Sequence, residues 1–123
     1  MLTLESHVCG TWQAPTGDGV ITRHAVTGEP VATVSSTGID LKAAVAHARD
    51  VGGPTLRSMT FHERAALLKG IGLHLMAEKE SLYELSTATG ATRADSWIDV
   101  EGGAGVLLSY ASKGRRELPD GNV

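Results

Sequence analysis

The spacing of apolar and polar positions changes once along this chain, at about Ser36. Ahead of it, β-branched and apolar residues come in short runs separated by turn signals. Val8-Cys-Gly-Thr-Trp12 is followed by Pro15-Thr-Gly-Asp-Gly19, then by Val20-Ile-Thr-Arg-His-Ala-Val26, a second turn at Thr27-Gly-Glu-Pro30, and Val31-Ala-Thr-Val34. Val, Ile and Thr favour extended backbone, and the Gly, Pro and Asp clusters favour reversals, so residues 1–36 are predicted to form a short antiparallel β-meander. Two or three such strands bury little by themselves and need something to pack on.

From residue 37 to 116 the period is helical. Thr37-Gly-Ile-Asp40 has the form of a capping box, after which Leu41, Ala44, Val45 and Ala48 share a face. Gly52-Gly53-Pro54 is expected to stop that helix. Thr60-Phe-His-Glu63 repeats the capping pattern ahead of an apolar stripe of Phe61, Ala65, Leu68, Ile71 and Leu75, interrupted by Gly70 and Gly72. Each glycine costs about 0.8–1 kcal/mol relative to Ala in a helix interior, which suggests close approach by another element. The stripe loses phase near residue 78, and a shorter helix with Leu82 and Leu85 ends at Thr89-Gly90, where Gly tolerates a left-handed backbone. Thr92-Arg-Ala-Asp95 offers a third box before a long segment whose Trp97, Val100, Ala104, Leu107, Leu108 and Ala111 spread over more than one face. A helix so broadly apolar needs neighbours. Residues 117–123 read as a truncated connection, because Asp120-Gly121-Asn122 is a turn signal that leads to a further element.

Composition narrows the class. The 123 residues are one domain's worth of polypeptide, and 41% hydrophobic with 20% charged residues is ordinary for a folded chain. With only one Phe, two Tyr and two Trp, the core must lean on aliphatic residues and alanine, so a weak core is expected. The formal net charge of -3, with Lys and Arg scattered, gives no footprint for nucleic acid. No apolar run suits a bilayer and the first residues lack a secretory signal, so no membrane partner and a cytoplasmic location are expected. A single Cys9 fits a reducing compartment.

Candidate chemistry is sparse. Cys9 is the sole thiol, but it sits in a predicted strand beside Gly10, where a structural role is the better reading. His7 is two residues from Cys9, while His24, His47, His62 and His74 are scattered without metal-ligand spacing, so no metal is expected. Gly102-Gly103-Ala104-Gly105 fails as a dinucleotide fingerprint, because Leu108 stands where Gly or Ala is required and no strand precedes it. Glu63, Arg64, Glu101 and Lys113 fall at cap and helix-face spacing and are assigned no chemistry. No catalytic and no cofactor-binding residue is assigned within the chain.

Gly10-Thr11-Trp12, the capped Glu63-Arg64-Ala-Ala-Leu-Leu68 helix, the helix from Leu82 to Gly90 and the one closing on Tyr110-Ala111 resemble, in order, the N-terminal part of the aldehyde dehydrogenase superfamily. Met59-Thr-Phe61, Gly90-Ala-Thr-Arg-Ala-Asp-Ser-Trp97 and Arg116-Glu-Leu-Pro-Asp120 look more closely like the phenylacetate-degradation members of the PaaZ/PaaN type. The similarity runs over nearly the whole chain. It implies an α/β parent fold with a Rossmann-like domain, of which residues 1–123 are the mostly helical N-terminal part. It also implies oxidation of an aldehyde to an acid with NADP or NAD, the aldehyde in the ring-opening type being a CoA-linked semialdehyde. The cysteine nucleophile, glutamate base and asparagine of that chemistry have no counterpart here, so the chain alone is expected to be non-catalytic and to bind no cofactor. Its implied partners are the remainder of the fold, the aldehyde and, in the parent, further copies in a homo-oligomer.

By position relative to Tyr110-Ala111, Ile98 and Gly102 resemble helix sites lining the aldehyde passage in related enzymes. Gly102 and Gly103 would widen such a passage for a bulky substrate; helix packing is the equally weighted alternative. The competing function is a free-standing helical interaction or scaffold module without enzymatic activity.

Overall fold

The computed structural model describes residues 1–122, and Val123 lies outside the described residues. Contacts divide the chain into two compact units, one spanning Met1–Pro54 and the other starting at Thr55. Among the described residues, five short strands and five α-helices make a mostly helical chain with a small β element.

In the first unit, β1 (Leu2–Thr3), β5 (Pro30–Val34) and β4 (Val20–Arg23) form one sheet in the order β1-β5-β4, while β2 (Ser6–Val8) and β3 (Thr11–Gln13) form a separate hairpin. The expected antiparallel meander is therefore corrected to two small sheets, one of them mixed. β4 and β5 are antiparallel, with Val20 opposite Val34, but β1 runs parallel to β5, with Leu2 opposite Ala32. Such a parallel partner comes from distant sequence, which local alternation does not reveal. The expected strand over Val8–Trp12 is also corrected: Cys9 (φ 52°) and Gly10 (φ 82°) form a two-residue turn between β2 and β3. Two positive φ values in succession suit the right-handed twist of a hairpin. Cys9 is consequently exposed at a turn rather than held in a strand.

α1 (Leu41–His47) is capped by Asp40, whose carboxylate accepts from the Ala43 amide at 2.8 Å. Thr37 does not cap it. Its amide donates to Ser35 Oγ at 3.1 Å and its carbonyl accepts from the Thr16 amide at 3.0 Å, which ties the Pro15–Gly19 turn down. Nor does Gly52-Gly53-Pro54 break the helix. A π-helical turn over Ala48–Gly52 leads straight into α2 (Gly53–Ser58). A widened turn ahead of Pro54 relieves the clash between its ring and the carbonyl four residues back, and Pro near a helix start forfeits no essential donor.

The second unit is built on α3 (Phe61–Ala77), α4 (Lys79–Ala88) and α5 (Arg93–Glu117). The other two of the three expected boxes form: Thr60 with Glu63 starts α3, and Thr92 with Asp95 starts α5. The break near residue 78 falls at Glu78, between α3 and α4, and Gly90 takes φ 89° just past α4. The chain after α5 returns to the start of α3, where the Gly121 carbonyl accepts from the Phe61 amide at 3.1 Å. That contact satisfies one of the donors every helix start leaves open. Among the described residues no helix is long and apolar enough to cross a membrane.

Where α3 meets α5 the buried side chains are small: Ala65, Ala104 and Ala111, with Gly72 buried among them. A Cβ placed on Gly72 would stand 2.9 Å from the Cγ and Cδ2 of Leu108 and 3.4 Å from the Ala104 carbonyl oxygen. The close approach inferred from the glycines is thus real at Gly72. At Gly70 a Cβ would meet nothing within 4 Å. The two glycines are therefore expected to respond oppositely to alanine in urea denaturation. Gly70→Ala should stabilise by up to about 1 kcal/mol through helix propensity. Gly72→Ala should lose about 1 kcal/mol or more despite the same gain, because Leu108 must be displaced.

Candidate functional site

The densest arrangement of polar groups lies between α4 and α5. Tyr83 is buried, and its hydroxyl donates a short hydrogen bond to Glu101 Oε1. Lys79 Nζ, one helical turn before Tyr83, reaches the same oxygen at 3.0 Å. Lys79 and Tyr83 are four residues apart, so both project from one face of α4 onto one carboxylate of α5. Arg93 covers the Tyr83 ring, its guanidinium carbon 4.3 Å from the centroid, while its Nη2 pairs with Glu80 at 3.1 Å. Beside them Ser96 is the most enclosed polar residue at 1% exposure, its Oγ 2.9 Å from Ser86 Oγ and 3.0 Å from the Thr92 carbonyl oxygen.

This arrangement fixes protonation states in a direction opposed to acid–base catalysis. The Tyr83 hydroxyl, followed by the Lys79 ammonium, holds the Glu101 carboxyl below its ordinary range, which weakens it as a base. The Glu101 hydrogen bond, aided by burial, pushes the Tyr83 phenol up to about 12, which weakens it as an acid. The cluster is a clamp between helices. It was missed in the sequence because Glu101 looks like a surface charge; the available signal was Tyr83 and Ser96 at positions that must face another helix.

Of the three proposed passage residues, Ile98 and Gly102 lie along the exposed side of α5, and Gly103 is turned about 100° from Gly102. Ile98 is 61% exposed, and Gly102, one turn on, shares its side of the helix. A Cβ on either Gly102 or Gly103 would meet nothing within 4 Å, so neither glycine is required by packing within this unit. Gly102 lines a shallow depression of about 420 Å³ with Gly105, Val106, Ser109, Tyr110 and Lys113. Ile98 and Gly103 are not part of its lining. Val106 and Tyr110, on the same side as Gly102, are also more than half exposed. The broad burial expected of this helix is thus confined to one side.

A dinucleotide does not fit this chain's glycine run. Gly102–Gly105 lies in the middle of α5, where its amides serve the helix rather than open as a cradle for phosphates. No group of three or more His, Cys, Asp or Glu able to hold a metal occurs among the described residues. His7 packs edge-on to Trp12 across the hairpin, with ring centroids 5.0 Å apart. His24 caps its own turn, accepting from the Val26 and Thr27 amides through Nδ1.

Comparison with known proteins supplies what the site chemistry does not. The pattern of the aldehyde dehydrogenase family matches residues 12–122, which include both capping boxes, the α3–α5 seam and the clamp. The chain belongs to the aldehyde dehydrogenase family. It is 37% identical over 115 residues to a 3,4-dehydroadipyl-CoA semialdehyde dehydrogenase of Aromatoleum evansii. That alignment covers 93% of this chain and 22% of the relative, so the chain spans about a fifth of the relative's length. The resemblance read from the motifs is borne out at the level of the family, and a CoA-semialdehyde dehydrogenase stands among its relatives.

In this aldehyde dehydrogenase chain the clamp has a defined pH signature. The folded Glu101 carboxyl lies below its ordinary 4.5, so its contribution is complete above that value and is lost as pH falls through the depressed one. Asp95, lowered by the hydroxyl and then the amide of Thr92, adds to the same acid limb. Tyr83 is raised, so its contribution is complete below 10.0 and is lost as pH rises through about 12. Denaturation midpoints followed against pH should therefore be level between the two ordinary values and fall on both sides. In Tyr83→Phe the alkaline step from this phenol should vanish, and the Glu101 carboxyl, followed by NMR, should titrate closer to 4.5.

Proposed function

We propose that this chain is the N-terminal portion of an NAD(P)-dependent aldehyde dehydrogenase that oxidises a CoA-linked semialdehyde, of the kind met in phenylacetate degradation, to the acid. The observation that carries this reading is the family match across residues 12–122, reinforced by a relative whose name specifies a CoA semialdehyde. The family generally uses NAD(P), which supplies the hydride acceptor when bound; no residue of this chain is assigned to it. On this reading the parent is α/β with a Rossmann-like domain, works as a homo-oligomer, and carries its thiolate, base and oxyanion donors outside these residues. The chain's own part is to support that machinery. α5 presents Ile98, Gly102 and the depression beyond them as one wall of the substrate passage, with Gly103 relieving bulk beside it.

Production of NADH or NADPH by the longer polypeptide, with a CoA-linked semialdehyde as substrate, tests the activity. The 123-residue chain by itself should neither turn over aldehyde nor bind NADP(H), and tight binding would contradict the assignment. Gly102→Leu in the longer polypeptide should raise KM for the CoA-linked aldehyde while leaving a small free aldehyde unaffected, because a side chain there fills space only a bulky substrate uses. Unchanged KM for both would remove Gly102 from the passage.

A further inference from the structure

Arg64 stands in the second turn of α3 with its guanidinium carbon 4.6 Å from the centroid of the Phe61 ring. Its Nε and Nη2 are shut off from solvent and, among the described residues, neither has a hydrogen-bond partner. Ion pairs among these residues join His62 to Asp120, Lys79 to Glu101 and Arg93 to Glu80, and none involves Arg64. Glu117 lines the same groove yet does not pair with it. A guanidinium cannot shed its charge, so burying donors without acceptors is costly.

The two orphaned nitrogens are the pair on one edge of the guanidinium whose N–H bonds run parallel. That edge matches the two oxygens of one carboxylate. Arg64 lines a groove of about 390 Å³ between α3 and α5, whose lining includes Phe61, Leu68, Tyr110 and Leu118 with Lys113 at its side, while the Nε–Nη2 edge itself is closed to solvent. Apolar walls, with Lys113 and Glu117 beside Arg64, suit a stretch of polypeptide carrying an acidic side chain better than a free anion. The relative is more than four times the length of the matched segment, so a family member has ample polypeptide to supply it.

We propose that Arg64 is a docking anchor, holding through its Nε–Nη2 edge the carboxylate of an Asp or Glu on a segment of the larger dehydrogenase that lies in this groove. The inference rests on the proposed function, which provides that segment. Because the edge is closed to solvent here, docking requires the guanidinium to turn outward into the groove.

The test compares Arg64→Met and Arg64→Lys in two settings. In the 123-residue chain Arg64→Met should leave the melting temperature unchanged or raise it, since it removes unpaired buried donors; a clear fall would mean the donors are already satisfied and would overturn the proposal. In the longer polypeptide both variants should lower it by several degrees, Lys failing because one ammonium cannot make the paired contact; a neutral result there also overturns it. As an independent arm, the Arg64 Nε–H resonance of the 123-residue chain, identified by its loss in Arg64→Lys, should shift on adding sodium acetate but not sodium chloride at equal ionic strength. No difference between the salts counts against the carboxylate. An acetate response without dehydrogenase activity in the longer polypeptide would defeat the proposed function and leave the Arg64 edge standing as a carboxylate site. An active enzyme indifferent to both Arg64 variants would defeat the anchor alone.

Discussion

The helical unit depends on one contact, the close approach of α3 to α5 along side chains that are almost absent. Ala65, Gly72, Ala104 and Ala111 line it, and a Cβ on Gly114 would stand 3.3 Å from the Ala65 Cβ. Small residues let two backbones come near, but each buries little apolar surface, at about 25 cal/mol per Å². The seam therefore fixes geometry more than it supplies stability. Helix ends and polar clamps contribute the remainder: two complete capping boxes, worth on the order of 1 kcal/mol per cap, and the Tyr83–Glu101–Lys79 cluster that holds α4 on α5.

A seam of small residues also determines what the surface looks like. With alanine and glycine turned inward, many of the larger apolar residues of α3 and α5 point away from the contact. Leu67, Ile71 and Leu73 on α3, and Trp97, Ile98, Val106 and Tyr110 on α5, are exposed. Scattered surface apolar residues are common, but Val106 and Tyr110, together on one side of α5 and lining a depression, form a face suited to a neighbour. Family membership gives that face a context. The matched relative has most of its length beyond the aligned part.

What was legible in the sequence was local. The Thr60 and Thr92 boxes, the break at Glu78 and the Gly90 terminus each depend on residues within one turn, and all four formed as read. Misreadings arose where a second local solution competed or a distant partner decided. Asp40 outcompeted Thr37 because it stands directly before the first helical residue. Cys9-Gly10 reads as strand because a non-glycine residue at positive φ is uncommon. Pro54 reads as a stop because a π-helical turn is rare. The parallel β1–β5 pairing and the Tyr83–Glu101 clamp join residues far apart in sequence, and no short window contains both partners. Gly102 was picked out by resemblance, while its shared side with Val106 and Tyr110 follows from helix geometry alone.

The clamp and the glycine face are adjacent residues on one helix, and that adjacency bears on how the face is oriented. Successive residues of an α-helix are turned about 100° from one another, so holding Glu101 against Tyr83 and Lys79 also sets the direction in which Gly102 faces. A helix packed through a smooth, small-residue seam is otherwise free to rotate, since glycine and alanine offer few side-chain interlocks. Two donors converging on one carboxylate oxygen resist that rotation in a way apolar contact does not, because hydrogen bonds are directional. The polar residues that hold α5 on α4 thus account for how its outer side, with Ile98, Gly102, Val106 and Tyr110, is held in a defined orientation.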